Sequence, residues 1–352
     1  MVIGAKEILF ERRGVAAIVT LNRPQALNAL SRVMVLALRA QLDGWAADAA
    51  VKRVVIQAAG GRAFCAGGDI REIYDLHKAG RIEEAIDFWR HEYPLNAAIK
   101  HYPKPYIALV DGLVMGGGVG VSMHGALRVA GDRLSFAMPE VGIGFFPDVG
   151  ATYLLPRLPG KTGTYLALTG SRVGPADAMA LGVATHRVAT ARFPELIEAL
   201  CENDDAAKIL DAFSVDAGFA PLAPRCAVID RTFAGATVEA ILAALDQEGA
   251  GSGDDAAFAR AQAAVIRGKC PLSVKIALEQ MRRGPKLDFN EAMRTEFRIL
   301  SRVAREPNFY EGIRAAVLDK DNPPRWNPPS LAQVSEAAVV AHFAPLAEEL
   351  AL

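Results

Sequence analysis

The chain has 352 residues, 51% hydrophobic and 22% charged, with 39 basic side chains against 40 acidic ones. Those proportions exclude a disordered or fibrous chain, and the near-cancellation of charge removes any global pull toward nucleic acid or an anionic membrane. The length accommodates one large α/β core with an appendage.

The N-terminal stretch MVIGAKEILFERRG lacks a long apolar targeting core, and no run reaches the roughly 18 apolar residues of a membrane-spanning helix. With heavy alanine and arginine usage, this predicts a soluble, cytoplasmic protein from a GC-rich bacterial genome. EILFER and AAIVTLN flank Arg13-Gly14 and predict an opening hairpin. Ser31 then caps a helix over VMVLALRAQLDGW. RVVIQAAG at 53–60, PYIALVDG at 105–112 and LRVAG at 127–131 are short apolar runs closing on glycine, with helical patterns between them. That alternation predicts parallel strands joined by crossover helices.

Beyond about residue 190 the periodicity turns helical, through FPELIEALCENDDAAKIL, ILAALDQEGAGSGDDAAFARAQAAVIRG, SVKIALEQMRR and NEAMRTEFRILSRVARE. AGSGDD at 250–255 reads as an exposed connector, and DKDNPPRWNPPS as a Pro-rich turn before a last short helix. The expected organisation is an α/β core carrying the site over 1–190 and a mostly helical region over 191–352. Cys65, Cys201, Cys226 and Cys270 have neither metal-ligand spacing nor the density of a disulfide framework, so reduced thiols and no metal are expected.

Two glycine clusters and one acidic segment carry the chemistry. In GGRAFCAGGDIREIYDL, residues 60–76, Asp69 and Glu72 have the spacing of a capping box, and Gly67 and Gly68 stand before the helix they would start. In DGLVMGGGVGVSMHG, residues 111–125, an apolar strand enters three glycines and then an apolar helix. Val121 breaks a dinucleotide fingerprint, and no Gly-Lys-Ser/Thr follows to make a phosphate loop. The capping box explains Asp69 but not Gly67 and Gly68, a weak signal alone, and tight helix-sheet packing would explain the second cluster by itself; together, helix starts on neighbouring strands can aim two backbone N–H groups at one carbonyl oxygen. In MPEVGIGFFPDVG, residues 138–150, Glu140 and Asp148 stand among apolar residues, glycine and proline. Unless the segment is a solvated loop, burying such carboxylates costs several kcal/mol and implies a use for them. His124 lacks the nucleophile-elbow serine of a triad and reads as a packed or capping residue.

LNRPQALNAL, AFCAGGDI, DGLVMGGGVG, FAMPEVGIGFFPDVGA and LTGSRV, in this order, resemble the crotonase (enoyl-CoA hydratase/isomerase) superfamily, which acts on acyl-CoA thioesters. MGGGVGVSMHG, FAMPEVGIGFFPDVG, the MRTEFR block and EGIRAAVLDKDNPPRW resemble its 3-hydroxyisobutyryl-CoA hydrolase branch. The resemblance implies an α/β spiral of repeated ββα units with a helical C-terminal region and an insertion at about 200–265. It also implies an oxyanion hole at Gly68 and Gly117, Glu140 as nucleophile or general base, and Asp148 orienting water or the substrate 3-hydroxyl. Glu92 of RHEYPLN matches a substrate-contacting acid, and Arg23, Ala26, Ala66, Asp69, Ile70 and Lys320 match positions along the CoA moiety. Hydratases carry a glutamate where this chain has Gly120, which argues against two-glutamate hydration. The implied reaction is hydrolysis of a short 3-hydroxyacyl-CoA in valine breakdown, with no cofactor beyond the CoA of the substrate. Neither nucleic acid nor membrane is an expected partner, and a trimer or pair of trimers is the implied assembly. The alternatives are a single-glutamate hydratase or isomerase, and a non-catalytic CoA-binding or RNA-associated scaffold.

Overall fold

The computed structural model describes residues 6–202, 205–321 and 324–352. The positions outside it fall in the N-terminal stretch, in the CENDDAAK run and in the Pro-rich turn, so those parts of the sequence reading lie outside the described residues. The opening hairpin is β1 (Ile8–Arg13) and β2 (Ala16–Leu21), paired antiparallel. It continues into β3 (Arg53–Ala58). Then follow β4 (Ala63–Cys65), β5 (Tyr106–Val110), β6 (Leu113–Met115), β7 (Leu127–Ala130), β8 (Ser135–Ala137) and β9 (His186–Arg187). One sheet has the order β1-β2-β3-β5-β7-β9 and the other β4-β6-β8. From β2 onward the larger sheet is parallel, as the short apolar runs and helical crossovers require. β4 and β8 escaped the sequence reading because three residues are too few to show a period.

The contact pattern divides the chain into two interleaved compact units. One comprises residues up to Asp69, His91–Phe136 and Val173–Pro221; the other comprises Ile70–Arg90, Ala137–Arg172 and Leu222–Leu352. Segments from before and after position 190 therefore contribute to each.

In the first unit Ile18, Val55 and Ile107 stand in register across β2, β3 and β5, and all are buried. Leu196, Ile197 and Leu200 of the helix Phe193–Glu202 belong to the same core, with Ile209 and Leu210 of the helix Ala206–Phe213. Burying each such side chain is worth about 1.5–3 kcal/mol. Ser31 caps the helix Arg32–Ala47 by accepting from the Met34 N–H. The second unit is helical among its described residues. AGSGDD is shorter as a connector than its composition predicts: the helices Val238–Gly249 and Gly253–Arg267 leave only residues 250–252 between them. Asp254 and Asp255 lie in the first helical turn and receive Arg225 at 3.1 and 2.8 Å.

Candidate active site

β4 and β6 are parallel neighbours, pairing Ala63 with Leu113 and Cys65 with Val114. Their carboxyl ends lead into the two glycine clusters, which touch: a Cβ built on Gly117 would lie 3.5 Å from the Gly67 carbonyl carbon. Gly116 has φ 49° and ψ −127°, a conformation open to glycine, and starts the short helix Gly117–Gly120. Gly117 opens that helix, so its N–H is among those the helix itself does not use. Gly68 forms a parallel bridge with Leu30 in which the Gly67 carbonyl accepts and the Asp69 N–H donates. The Gly68 N–H takes no part in that bridge.

Glu92 stands on the helix Ile82–Lys100, 1% exposed, with Oε1 2.5 Å from the point a Gly117 Cβ would occupy. Its charge reaches Cys65, whose thiol burial pushes up to about 12, with Glu92 adding to the rise. Arg23 donates to the Ala29 carbonyl at 2.8 Å and to Asp69 at 2.9 Å, and pairs with Glu7 at 3.2 Å. It thus ties the NRPQALN turn, with Ala26 in its 3-10 segment Pro24–Ala26, to the loop that holds Gly68. Ala66 joins the same arrangement, its N–H donating to the Leu27 carbonyl.

Sequence reasoning missed Asn28. It is 1% exposed with φ 56°, donates to the Ala59 and Ala63 carbonyls at 2.9 and 3.0 Å, and accepts from the Arg23 N–H at 2.8 Å. It therefore fastens the turn to the ends of β3 and β4. Its signal was available: asparagine is the residue after glycine that best tolerates a left-handed backbone.

The second unit holds the acidic segment. Glu140 begins a 3-10 turn, Glu140–Ile143, and is 6% exposed; Asp148 is 4% exposed. Met138, Phe145 and Phe146 are buried with them, and Phe145 stacks on Phe146 at 4.6 Å and on Trp89 at 5.7 Å. The segment is accordingly a buried one and not a solvated loop. Ile70 is the first residue of the helix Ile70–Lys78, directly after Asp69. Lys320 is exposed with φ 55°, beside Asp319 and Asp321, which both accept from Arg314 at 2.7 Å.

Glu296 was the second omission. It lies on the helix Phe289–Val303 on the buried face shared with Phe289, Met293, Leu300 and Val303. A glutamate in that apolar stripe was a legible signal. Its carboxylate accepts from the Gly150 and Thr152 N–H groups at 2.7 and 2.8 Å, just beyond Asp148.

Parallel strands of this order, with glycine-bearing ends beside a buried acidic segment in the sequence, make up the crotonase fold. A family model described as enoyl-CoA hydratase/isomerase matches residues 16–343, and the chain belongs to that family. The mitochondrial 3-hydroxyisobutyryl-CoA hydrolase of Danio rerio is 42% identical over 352 residues, covering 97% of this chain and 90% of its own. The Homo sapiens protein of the same name is 40% identical over 353 residues, covering 97% and 89%. Among solved structures, one described as a carnitinyl-CoA dehydratase from Mycobacterium thermoresistibile has a TM-score of 0.92 and 41% identity over 98% of each chain. Another, described as an enoyl-CoA hydratase from Rhodobacter sphaeroides 2.4.1, has a TM-score of 0.90 and 40% identity over 98% of this chain and 100% of that one. The relatives' names agree on an acyl-CoA substrate and diverge between hydrolysis and the addition or removal of water.

Proposed function

We propose that this protein hydrolyses a short 3-hydroxyacyl-CoA thioester, with 3-hydroxyisobutyryl-CoA as the first substrate to test. The observation that carries the reading is 40–42% identity to hydrolases of that name over 97% of the chain. Two buried carboxylates, Glu140 and Asp148, support it. The helix Gly117–Gly120 holds no glutamate for two-carboxylate hydration.

In this proposal the N–H groups of Gly68 and Gly117 receive the thioester oxygen as it becomes an oxyanion. Loss of one such donor typically raises the barrier by ~2.7 to 4 kcal/mol. Glu140 attacks the carbonyl carbon, the C–S bond breaks, CoA leaves as thiolate and takes a proton, and water opens the mixed anhydride to restore the carboxylate. If Glu140 instead deprotonates an attacking water, the products are the same. Oxygen-18 from solvent entering the Glu140 carboxylate, or hydroxylamine trapped there, identifies the anhydride. Asp148 orients the attacking water or the substrate 3-hydroxyl, Glu92 contacts the acyl group, and Ala26, Ala66, Asp69, Ile70 and Lys320 follow the CoA chain. Arg23, already bonded to Asp69, shapes the turn beside it.

A thiol-release assay with a disulfide reagent tests the reaction: 3-hydroxyisobutyryl-CoA should liberate CoA, and Glu140→Gln should abolish the release. The second reading, a hydratase or dehydratase, has the names of the two solved structures in its favour. It requires enoyl-CoA turnover without free thiol. Valine breakdown, a cytoplasmic location and assembly into trimers or pairs of trimers complete the proposal; cell fractionation and light scattering test the last two. Among the described residues no helix is long and apolar enough to cross a membrane.

A further inference from the structure

Asp148 sits on a turn that the local chain does not favour. Val149, a β-branched residue, has φ 50°, and Gly150 follows at φ 92°. Two successive left-handed residues, one of them valine, persist only where surrounding groups hold them. Locally, the Ala151 N–H donates to the Asp148 carbonyl at 2.9 Å, and the Tyr153 and Leu154 N–H groups donate to the Gly150 carbonyl at 3.1 and 3.0 Å. Further grip comes from two helices distant in sequence. Glu296, fully buried, spans the Gly150 and Thr152 N–H groups with its two carboxylate oxygens. Gln280, on the helix Pro271–Arg283, donates from Nε2 to the Pro147 carbonyl at 2.8 Å and to the Thr152 hydroxyl at 2.7 Å. Asp148 is bracketed by these contacts: the carbonyl before it and the amides after it are each held by a buried side chain.

We infer that Glu296 is a positioning residue for Asp148, its carboxylate fixing the left-handed turn that carries the Asp148 side chain. The chemistry of the contact specifies glutamate. Both backbone partners are donors: each oxygen of a carboxyl group keeps a lone pair to accept with, protonated or not, whereas glutamine has one amide oxygen and an NH₂ group that would face an N–H. A misplacement of about 1 Å in a catalytic group can cost on the order of 100-fold in rate, so a loosened turn should register in the chemistry. The inference rests on the reading that Asp148 takes part in the reaction.

Steady-state thiol release from 3-hydroxyisobutyryl-CoA tests it with Asp148→Asn, Glu296→Gln and the double variant, each checked for folding by circular dichroism. Glu296→Gln is expected to lower the same kinetic parameter that Asp148→Asn lowers, kcat or KM, by about tenfold or more. The double variant should be no worse than Asp148→Asn by more than about threefold, because the two residues act as one unit. Losses that multiply in the double variant overturn the inference. So does a folded Glu296→Gln at the wild-type rate beside an impaired Asp148→Asn, and that outcome leaves the role of Asp148 standing. Asp148→Asn at the wild-type rate removes both. If Glu296→Gln does not fold, Thr152→Val, which deletes the hydroxyl linking Gln280 to this network, replaces it. A reduced rate for Thr152→Val with recovery in Thr152→Ser supports the inference, and wild-type kinetics for Thr152→Val overturns it.

Discussion

Oε1 of Glu92 lies 2.5 Å from the position a Cβ on Gly117 would take, and Leu30 Cδ1 lies 3.0 Å from it. The helix carrying Glu92 and the glycine proposed to bind the substrate oxygen are thus fitted to one another with no allowance for a methyl group. Gly117→Ala must displace the end of a buried glutamate side chain, which can rotate without unfolding the protein. Alanine keeps the backbone N–H, so thiol release from 3-hydroxyisobutyryl-CoA should fall through misplacement of the site, by about 100-fold for a shift of ~1 Å, while the circular dichroism spectrum stays that of the native chain. Gly118 differs. A Cβ there would run into the backbone carbonyl of Cys65, which cannot move without disturbing β4, so Gly118→Ala should lower the melting temperature or prevent folding. Equal effects of the two substitutions on Tm would contradict this division.

Asn28 predicts an ordering of stabilities. Alanine removes two donated hydrogen bonds and one accepted bond, each worth roughly 1 kcal/mol net, and places a Cβ at φ 56°. Glycine loses the same bonds and relieves the left-handed strain, which is about 1 kcal/mol for an L-residue. Urea unfolding should therefore rank the wild type first, Asn28→Gly second and Asn28→Ala last. A reversal of the last two would show that Asn28 acts by something other than backbone conformation.

These positions also show where the sequence was readable. Crossover strands such as RVVIQAAG declare themselves because a strand covered on both faces is apolar throughout, and Ser31 declares a helix start because few residues cap one. MPEVGIGFFPDVG left open a solvated loop or two buried carboxylates, and Glu140 and Asp148 are buried, the case in which the cost of burying charge points to a use for them. The partners of that segment were not legible. Glu296 reaches Gly150 across 146 positions and Gln280 reaches Pro147 across 133, and such pairings follow from tertiary packing that no local period encodes. The interleaving of the two units was hidden for the same reason.

The cysteines should separate by exposure. Cys65, Cys201 and Cys270 are buried and Cys226 is half-buried, all four unbridged. Burial holds the Cys65, Cys201 and Cys270 thiols above their ordinary range, Cys65 at about 12, so the reactive thiolate is scarce at neutral pH. Maleimide labelling of the native protein at pH 7, followed by peptide mapping, should mark Cys226 first and Cys65 only after denaturation. Early labelling of Cys65 would mean that the strand leading to Gly68 opens readily.

Glu296 gives the pH dependence of stability a definite sign. Burial raises its carboxyl from the ordinary 4.5 to about 8, the charge of Asp148 adding to the rise and the Gly150 and Thr152 N–H groups opposing it. Between those values the folded protein retains a proton that the unfolded chain has released, so this group's contribution is complete below about pH 4.5 and is lost as pH rises through 8. Unfolding midpoints in urea should decline from pH 5 to pH 8 in the wild type. Glu296→Gln removes the titration, and although the variant starts from a lower stability, its decline over the same interval should be shallower. The slope is the informative quantity, because a lost hydrogen bond shifts the whole curve while a lost proton equilibrium changes its tilt. Parallel curves for the two proteins would mean that Glu296 is already ionised at pH 5, held so by the two amides it spans.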